Sequence, residues 1–279
     1  MSFGDLNRIN TNLQSLDAQF SLNQINKRLG ETQLRLATGF RINRAEDDAA
    51  GFSISAKLSS RIAGLEQALQ NTGDAKSVLD IAEASFDSIL DILTTMKTKA
   101  TQAANDTYGT DERQFIEAQI TALADELTAL VGQTEFQGNA LLDGNYNATF
   151  QVGERLADTI NVTIDQDGDG FTAADLGLSG LTVDSFANAQ AAMTSIDNAI
   201  TTVASMVNQL GIFQTQLSIR EEILTQSINS NSAARSRIRD ADFATEQSEA
   251  IKLQILQQTA IAALAQANNA PSAVLGFIG

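Results

Sequence analysis

The sequence predicts a mainly α-helical fold, in which a long antiparallel helical coiled coil or bundle forms a rod with a small β-hairpin region. Two observations predict this class. Apolar residues recur at spacings of three and four over most of the 279 residues, as they do on one face of a helix. Residues 132–183 are instead rich in Gly and Asn, and they contain a run with the period of two that is typical of strands.

The first predicted helix covers the N-terminal region and ends before Gly39, which we interpret as its C-cap. Its apolar stripe changes register after Phe20. Residues 39–48 form the predicted connector to the next helix. The negative charges of Asp47 and Asp48 would interact favourably there with the positive N-terminal end of that helix's dipole. The stripe consists of Leu6, Ile9, Leu13, Leu16, Phe20, Leu22, Ile25, Leu29 and Leu36.

The second predicted helix is unusually long. Apolar residues keep one face from Ile54 to about residue 104, and a helix of this extent measures roughly 84 Å at 1.5 Å per residue. Such a length exceeds that of ordinary globular helices and indicates a coiled coil or a bundle. A loop at residues 105–110 ends it, and the spacing from Ile116 to Leu130 predicts a shorter helix after the loop.

The β region is predicted from short alternating runs. Residues Thr159 to Ile164 alternate apolar and polar side chains, which predicts a strand, and Phe150 to Val152 predict a second one. We therefore expect a small antiparallel hairpin within residues 132–183.

Helix returns near Asp184, and its stripe from Phe186 to Leu210 alternates spacings of three and four without a miss before it extends to Ile228. The last predicted helix, Ile238 to Ala267, is apolar over a wide arc and must be covered on several faces. Pro271 lies just past it, where a helix can stop. The apolar positions that we expect to mediate self-assembly are Leu6, Ile9, Leu13, Leu16, Phe20, Ile25, Leu29, Ile251, Leu253, Ile255, Leu256, Ile261 and Leu264.

Composition excludes several classes of function. The chain has no His and no Cys, so it lacks a Ser-His-Asp or Cys-His apparatus and any Cys/His zinc site. No phosphate-binding loop or metalloprotease motif is present, and we predict neither an enzyme nor a cofactor. The longest apolar run, residues 260–265, is too short for membrane insertion. The N-terminus has no apolar core of a cleavable signal peptide.

Charge is divided unevenly along the chain. The net charge is −16, and residues 46–229 hold 27 acidic against eight basic side chains, whereas residues 230–279 hold four of each. An acidic middle argues against nucleic-acid binding, which needs a basic face. We interpret the middle as the part that meets solvent and the ends as the parts that meet other protein. The alternative interpretation is that the acidic surface only aids solubility.

Four segments resemble bacterial flagellin. Residues 9–12 read INTN, residues 36–51 read LATGFRINRAEDDAAG, residues 132–138 read GQTEFQG, and residues 234–246 read ARSRIRDADFATE. The similarity covers most of the chain, in order and at the expected spacing. It identifies the sequence as that of a short flagellin without the outer variable domains.

The resemblance implies that different segments of the chain have different roles. Residues 1–45 and 230–279 would form the terminal coiled coil of a filament core, ordering on assembly. Residues 46–229 would form a helical rod domain, with 132–183 as its small β region. The protein would be secreted and extracellular, self-polymerising into the bacterial flagellum for swimming motility. The implied partners are further copies of the chain, cap and hook-associated proteins, an export chaperone and the export apparatus. A hook–filament junction protein is the alternative.

Two further candidate sites remain, and the first follows from a local pattern. Asp165, Asp167 and Asp169, followed by Gly170, imitate the start of a calcium-binding loop, although position 12 is Leu176 instead of Glu. An acidic turn between strands is the alternative, because Asp-Gly favours turns.

The second site is a receptor-contact region implied by the resemblance. In many flagellins the long helix carries Q-R-x-R-E-L-[AS]-V-Q, which the flagellin-sensing Toll-like receptor contacts. Here Thr95 replaces the Arg, Lys99 replaces the Leu, and Gln119 on the facing helix stands where an acidic residue is usual. We expect these changes to weaken receptor binding by several kcal/mol. Tolerated surface changes without consequence are the alternative.

Overall fold

A computed structural model describes residues 11–166 and 168–275, with side chains described through residue 269. It is 72% helical, which confirms the predicted mainly α class. In this part of the chain the helices are α1 (Leu13–Thr38), α2 (Ala49–Ala103), α3 (Thr110–Gln133), α4 (Phe186–Arg239) and α5 (Phe243–Leu275). The strands are β1 (Glu135–Phe136), β2 (Asn139–Ala140), β3 (Tyr146–Gln151) and β4 (Thr159–Ile164).

The chain divides into two compact units, so that α2 and α4 each contribute residues to both. Unit 1 comprises residues 1–60 and 230–279, and unit 2 comprises residues 61–229. We predicted the first boundary at residues 45 and 46, whereas this division assigns residues 46–60 to unit 1. The division of the chain within an assembly stays a prediction.

Unit 2 is built on an apolar core between α2, α3 and α4. The helices supply the inward stripes that the periodicity predicted, and the segment after α3 adds buried side chains such as Leu141 and Phe171. Phe171 packs edge-on against Phe86 of α2, with ring centroids 4.8 Å apart and an interplanar angle of 84°. The β region is therefore anchored to the helices by its own apolar side chains.

Two antiparallel hairpins follow α3. β1 and β2 are joined by Gln137 and Gly138, both with positive φ (51° and 81°), as the tightest hairpin turns require. β3 and β4 pair over six residues, from Tyr146 opposite Ile164 to Gln151 opposite Thr159. The strand predicted at Thr159–Ile164 is confirmed, and the predicted Phe150–Val152 strand lies further back along the chain, at Tyr146–Gln151.

Unit 1 contains the pair formed by α1 and α5. Asn12 caps α1, because its Oδ1 accepts a hydrogen bond from the backbone N–H of Ser15 at 3.1 Å. Gly39 ends α1 in the left-handed conformation (φ 73°), as predicted from its position.

The C-terminal helix differs from its prediction at both ends. Ile238 belongs to α4, which continues to Arg239, and α5 begins at Phe243. At the other end α5 continues through Pro271 to Leu275 instead of stopping before it. Pro271 has no N–H to donate to the carbonyl of Ala267, one turn earlier. The Asn12 side chain supplies that donor instead, with Nδ2 2.7 Å from the Ala267 oxygen.

Gly144 and Gly138 offer a matched test of the packing beneath the β region. Both have φ of +81°, but a Cβ at Gly144 would fall against the backbone carbon of Asp169 and 2.5 Å from the nitrogen of Gly170, whereas one at Gly138 meets nothing within 4 Å. We expect Gly138→Ala to cost only about 1–2 kcal/mol for the left-handed backbone. Gly144→Ala should lower the free energy of unfolding further, as measured by thermal or denaturant melts. Equal losses would contradict the close backbone approach.

Candidate assembly surface

α1 and α5 run antiparallel, because contacts that advance along α1 retreat along α5. Ser15 Oγ donates to Asn268 Oδ1 at 2.6 Å, and Gln257 Nε2 donates to Asn26 Oδ1 at 2.7 Å. Further along, Arg35 and Glu246 form an ion pair with a 3.3 Å separation. The register of the two helices is thus fixed by polar contacts along its length.

Only a narrow seam of this pair is buried. Leu29 and Thr32 of α1 and Ala250, Leu253 and Ala267 of α5 are at most 8% exposed. Outside the seam the same helices carry large apolar side chains in contact with solvent. We define these as the open apolar face, consisting of Leu13, Leu16, Phe20, Leu34, Phe243, Ile251, Ile255, Leu256 and Ile261.

The predicted self-assembly residues fall into several groups. Leu6 and Ile9 lie outside the described residues. Leu29 and Leu253 lie in the buried seam, so within one chain they hold α1 to α5, and Ile25 and Leu264 are half-buried beside it. The other seven, namely Leu13, Leu16, Phe20, Ile251, Ile255, Leu256 and Ile261, lie on the open apolar face.

Sequence reasoning missed Leu34 and Phe243 of the open apolar face. Leu34 stands outside the stripe that the spacing selects, and Phe243 lies in the segment ARSRIRDADFATE that carries the family resemblance. Phe243 is 68% exposed at the start of α5.

The connectors at the end of this helix pair contact each other. Backbone N–H groups of Arg41 and Ala241 donate to the carbonyls of Arg239 (2.6 Å) and Gly39 (2.9 Å) respectively. The Arg239 guanidinium lies over the Phe40 ring, 4.3 Å from its centroid. We call this set of contacts the junction. It joins two sequence segments that are about 200 positions apart.

Aspartates shape both connectors of the junction. Asp48 Oδ1 accepts from the backbone N–H of Gly51 at 2.9 Å and so caps α2, at the helix N-terminus where we expected Asp47 and Asp48 to interact with the dipole. Asp47 does not contribute to that cap. Its carboxylate accepts instead from the backbone N–H groups of Arg44 and Asn43, both at 2.9 Å, and so closes the connector on itself.

These hydrogen bonds favour the ionised carboxylates. Donation from Arg44, and then from Asn43, lowers the pKa of Asp47 below its ordinary 3.8. The Thr245 hydroxyl, followed by the backbone N–H of Ala244, lowers the pKa of Asp242 in the same way at the start of α5.

Comparison with known proteins identifies the family. A family model described as the bacterial flagellin N-terminal helical region matches residues 9–147, and one described as the bacterial flagellin C-terminal helical region matches residues 193–278. Flagellin of Bacillus subtilis is 36% identical over 97% of this chain and 99% of its own. The chain belongs to the bacterial flagellin family.

Other similarities agree with this assignment. Flagellin of Halalkalibacterium halodurans is 34% identical, again over 97% of this chain and 99% of its own. A solved structure, the putative flagellar hook-associated protein from Vibrio parahaemolyticus, covers 70% of this chain and 100% of its own with a TM-score of 0.59 and 13% identity. That identity shows the shared fold alone, so the hook–filament junction protein is not favoured over a flagellin.

The candidate calcium segment of this flagellin forms a tight turn in its described part. Backbone N–H groups of Gln166 and Asp169 donate to each other's carbonyls at 3.0 and 2.9 Å, with Gly168 at φ 92°. Asp165 and Asp169 flank the turn, and Asp167 lies outside the described residues. Among the described residues no three His, Cys, Asp or Glu side chains cluster for a metal ion. Calcium binding stays a prediction.

The divergent receptor-contact region lies on unit 2. Thr95 and Gln119 are exposed, and Lys99 is half-buried. The Thr95 hydroxyl is uncharged, and it donates to the Asp91 carbonyl at 2.9 Å within its own helix.

No helix among the described residues has the length and apolar character needed to span a membrane.

The aspartates predict how unit 1 responds to acid. Because their pKa values are lowered on folding, Asp47 and Asp242 contribute stability that is present above pH 3.8 and is lost as the pH falls through the folded values. Asp47→Ala and Asp242→Ala should therefore destabilise unit 1 near pH 6 and flatten its loss of stability below about pH 4.

Thermal melts of helical circular dichroism between pH 6 and pH 3 measure this effect. Asp17→Ala is the matched control, since Asp17 is exposed on α1 and accepts no hydrogen bond from a described residue. A melt at pH 6 that is equally unaffected by all three substitutions would contradict the role of the two carboxylates.

Proposed function

We propose that this flagellin polymerises with copies of itself into the extracellular filament that drives bacterial swimming. The open apolar face carries the proposal. It places nine large apolar side chains on two paired helices, with exposed fractions between 38% and 68%, and no described residue of unit 1 covers them.

Burial of this face against neighbouring chains supplies the driving force. Apolar surface removed from water contributes about 25 cal/mol per Å², and contiguous apolar patches on soluble monomers are usually interaction sites. Charge supports the same arrangement, since residues 230–279 hold four basic and four acidic side chains while residues 46–229 carry the acidic excess. Near-neutral ends can pack together without the repulsion that two acidic surfaces would experience.

The further partners of the proposal rest on family membership. A flagellin subunit would be carried by an export chaperone, leave through the flagellar export apparatus, and assemble beneath cap proteins onto hook-associated proteins.

Electron microscopy of purified chain after a salting-out step tests the proposal. We expect filaments from the full chain and none from a chain that lacks residues 1–45 and 235–279. Filaments from the shortened chain would show that the assembly surface lies elsewhere. If neither chain polymerises even with added filament fragments as seeds, the junction-protein alternative is favoured.

Leu253 and Ile255 separate the seam from the assembly face on one helix. Leu253 is 2% exposed, so Leu253→Ala should lower the free energy of unfolding of the monomer by about 2–4 kcal/mol. Ile255 is 59% exposed, so Ile255→Asn should change the monomer by at most about 0.5 kcal/mol yet prevent filament growth. Sedimentation of filaments and thermal melts of monomer measure both. Normal filaments from Ile255→Asn would contradict the proposed face.

We also propose that this flagellin activates the flagellin-sensing Toll-like receptor poorly. Its support is the exposed Thr95 and the half-buried Lys99 at positions where many flagellins carry Arg and Leu. Thr95→Arg combined with Lys99→Leu should raise the potency of the monomer at least about tenfold, equivalent to 1.4 kcal/mol or more. A cell reporter assay measures this, and ordinary potency of the unmodified chain would overturn the proposal.

A further inference from the structure

Unit 2 carries a groove with an apolar wall. The groove measures about 610 Å³ and lies between the start of β4 and the C-terminal half of α4 within unit 2. Ile219 and Ile223 form its apolar wall and are 52% and 51% exposed, while Ile160 contributes from the strand. These isoleucines project from α4 at a helical spacing of four, on the side opposite the buried Leu217 and Leu224.

Arg220 is the charged residue of the groove. It is exposed, and it forms no ion pair with any described residue. Nearby cations on unit 2 are already paired, since Lys76 binds Glu221 at 3.0 Å and Arg61 binds Glu154 at 2.7 Å. The groove therefore fits a partner segment with an apolar anchor and adjacent carboxylates.

The start of α3 presents such a segment. Phe115 is 70% exposed, although it belongs to a helix whose neighbouring Ile116 is buried. Asp111 and Glu112 lie one turn before Phe115 and are exposed, and neither forms an ion pair with a described residue. An exposed aromatic ring bordered by two carboxylates complements an apolar groove that holds a guanidinium.

The anchor and the groove lie at different levels of unit 2, so one chain cannot join them to each other. Lys76 and Glu221 place the groove level with residue 76 of α2. Thr134 Oγ1 donates to Ser85 Oγ at 3.0 Å, which places the end of α3 level with residue 85. Since α3 returns along α2, Phe115 lies near residue 104, about 40 Å further along at 1.5 Å per residue.

We infer that the Phe115 anchor of one chain docks in the Ile219–Ile223 groove of a second copy. Such a contact uses two different patches separated along a rod, so each copy can accept one neighbour and offer itself to the next. Contacts of this kind build open filaments unless the rotation closes a ring. The inference rests on the proposed polymerisation and assigns it a second contact, on unit 2, beside the open apolar face of unit 1.

Point substitutions in the full chain test the contact. Phe115→Ser and Arg220→Glu should each raise the critical concentration for filament growth at least about tenfold, because the first removes the apolar anchor and the second places a carboxylate opposite Asp111 and Glu112. Leu156→Ser is the matched control, since Leu156 is 95% exposed on unit 2 outside the groove, and it should polymerise like the unmodified chain. Combining Arg220→Glu with Asp111→Lys and Glu112→Lys should restore growth.

Engineered cysteines identify the partner directly, because the chain has none of its own. Oxidised filaments of Gln114→Cys/Gln216→Cys should give a ladder of covalent multimers, whereas either single variant should stay monomeric on a non-reducing gel. A ladder from Leu156→Cys/Gln216→Cys, with none from Gln114→Cys/Gln216→Cys, would overturn the inference. It would show that the loop between β3 and β4 of a second copy occupies the groove. Normal growth of Phe115→Ser would overturn it as well. Absence of filaments from the unmodified chain would instead count against the proposed polymerisation.

Discussion

The antiparallel pairing of α1 with α5 is the constraint on which the properties of unit 1 depend. Two helices that touch along a single seam can bury only the side chains that face each other, and here that seam is made of few large residues, chiefly Leu29 and Leu253. Both helices nevertheless carry apolar residues well outside that arc. Both helices of the pair are therefore fully formed, but their pairing leaves much of their apolar surface unburied. Among the described residues, the remaining apolar surface of the pair stays in contact with solvent.

Polar contacts make this incomplete core specific in register. Helices joined by apolar contacts alone can slide by a turn, because one leucine packs much like another. Here Asn12, Asn26 and Arg35 each meet one particular partner on α5, and Asn12 does so at the carbonyl that Pro271 leaves without its helical donor. Pro271 therefore does not end the helix. The Ala267 carbonyl that it leaves without a donor instead binds Asn12 and so helps to set the register of the pairing. The junction at the other end of the pair completes the register.

Much of the fold could be predicted from sequence because its signals are local and repeated. The stripes of α2 and α4, the strand at Thr159–Ile164 and the cap at Gly39 each depend on neighbouring residues only. The errors arose where a distant partner decides the outcome. Judged from neighbouring residues alone, Pro271 predicts the end of a helix. Helix α5 nevertheless continues past it, and the Asn12 side chain, about 260 positions earlier in the chain, donates to the carbonyl that Pro271 leaves without its helical donor. Asp47 and Asp48 are equivalent in sequence, and the fold of the connector assigns one to the turn and the other to the cap.

The candidate site was predictable in composition and less so in geometry. Apolar periodicity selected residues of α1 and α5 as interacting ones, but it could not divide them between the seam and the open apolar face. Leu253 and Ile255 lie two positions apart with similar side chains, and their exposures of 2% and 59% follow from which of them faces α1. Phe115 and Arg220 gave no signal at all, since an exposed residue is noticed only once its neighbours are known to be buried or paired.

Charge explains why the apolar surfaces are confined to particular places. An excess of 19 acidic side chains over residues 46–229 makes close approach of two rod units unfavourable except where apolar contact or opposite charge compensates. Phe115 with its carboxylates and the Arg220 groove provide such a place on unit 2, and the near-neutral helices provide another on unit 1. Acidic repulsion elsewhere then acts against side-by-side association in the wrong register, because only approaches that bring these patches together gain free energy.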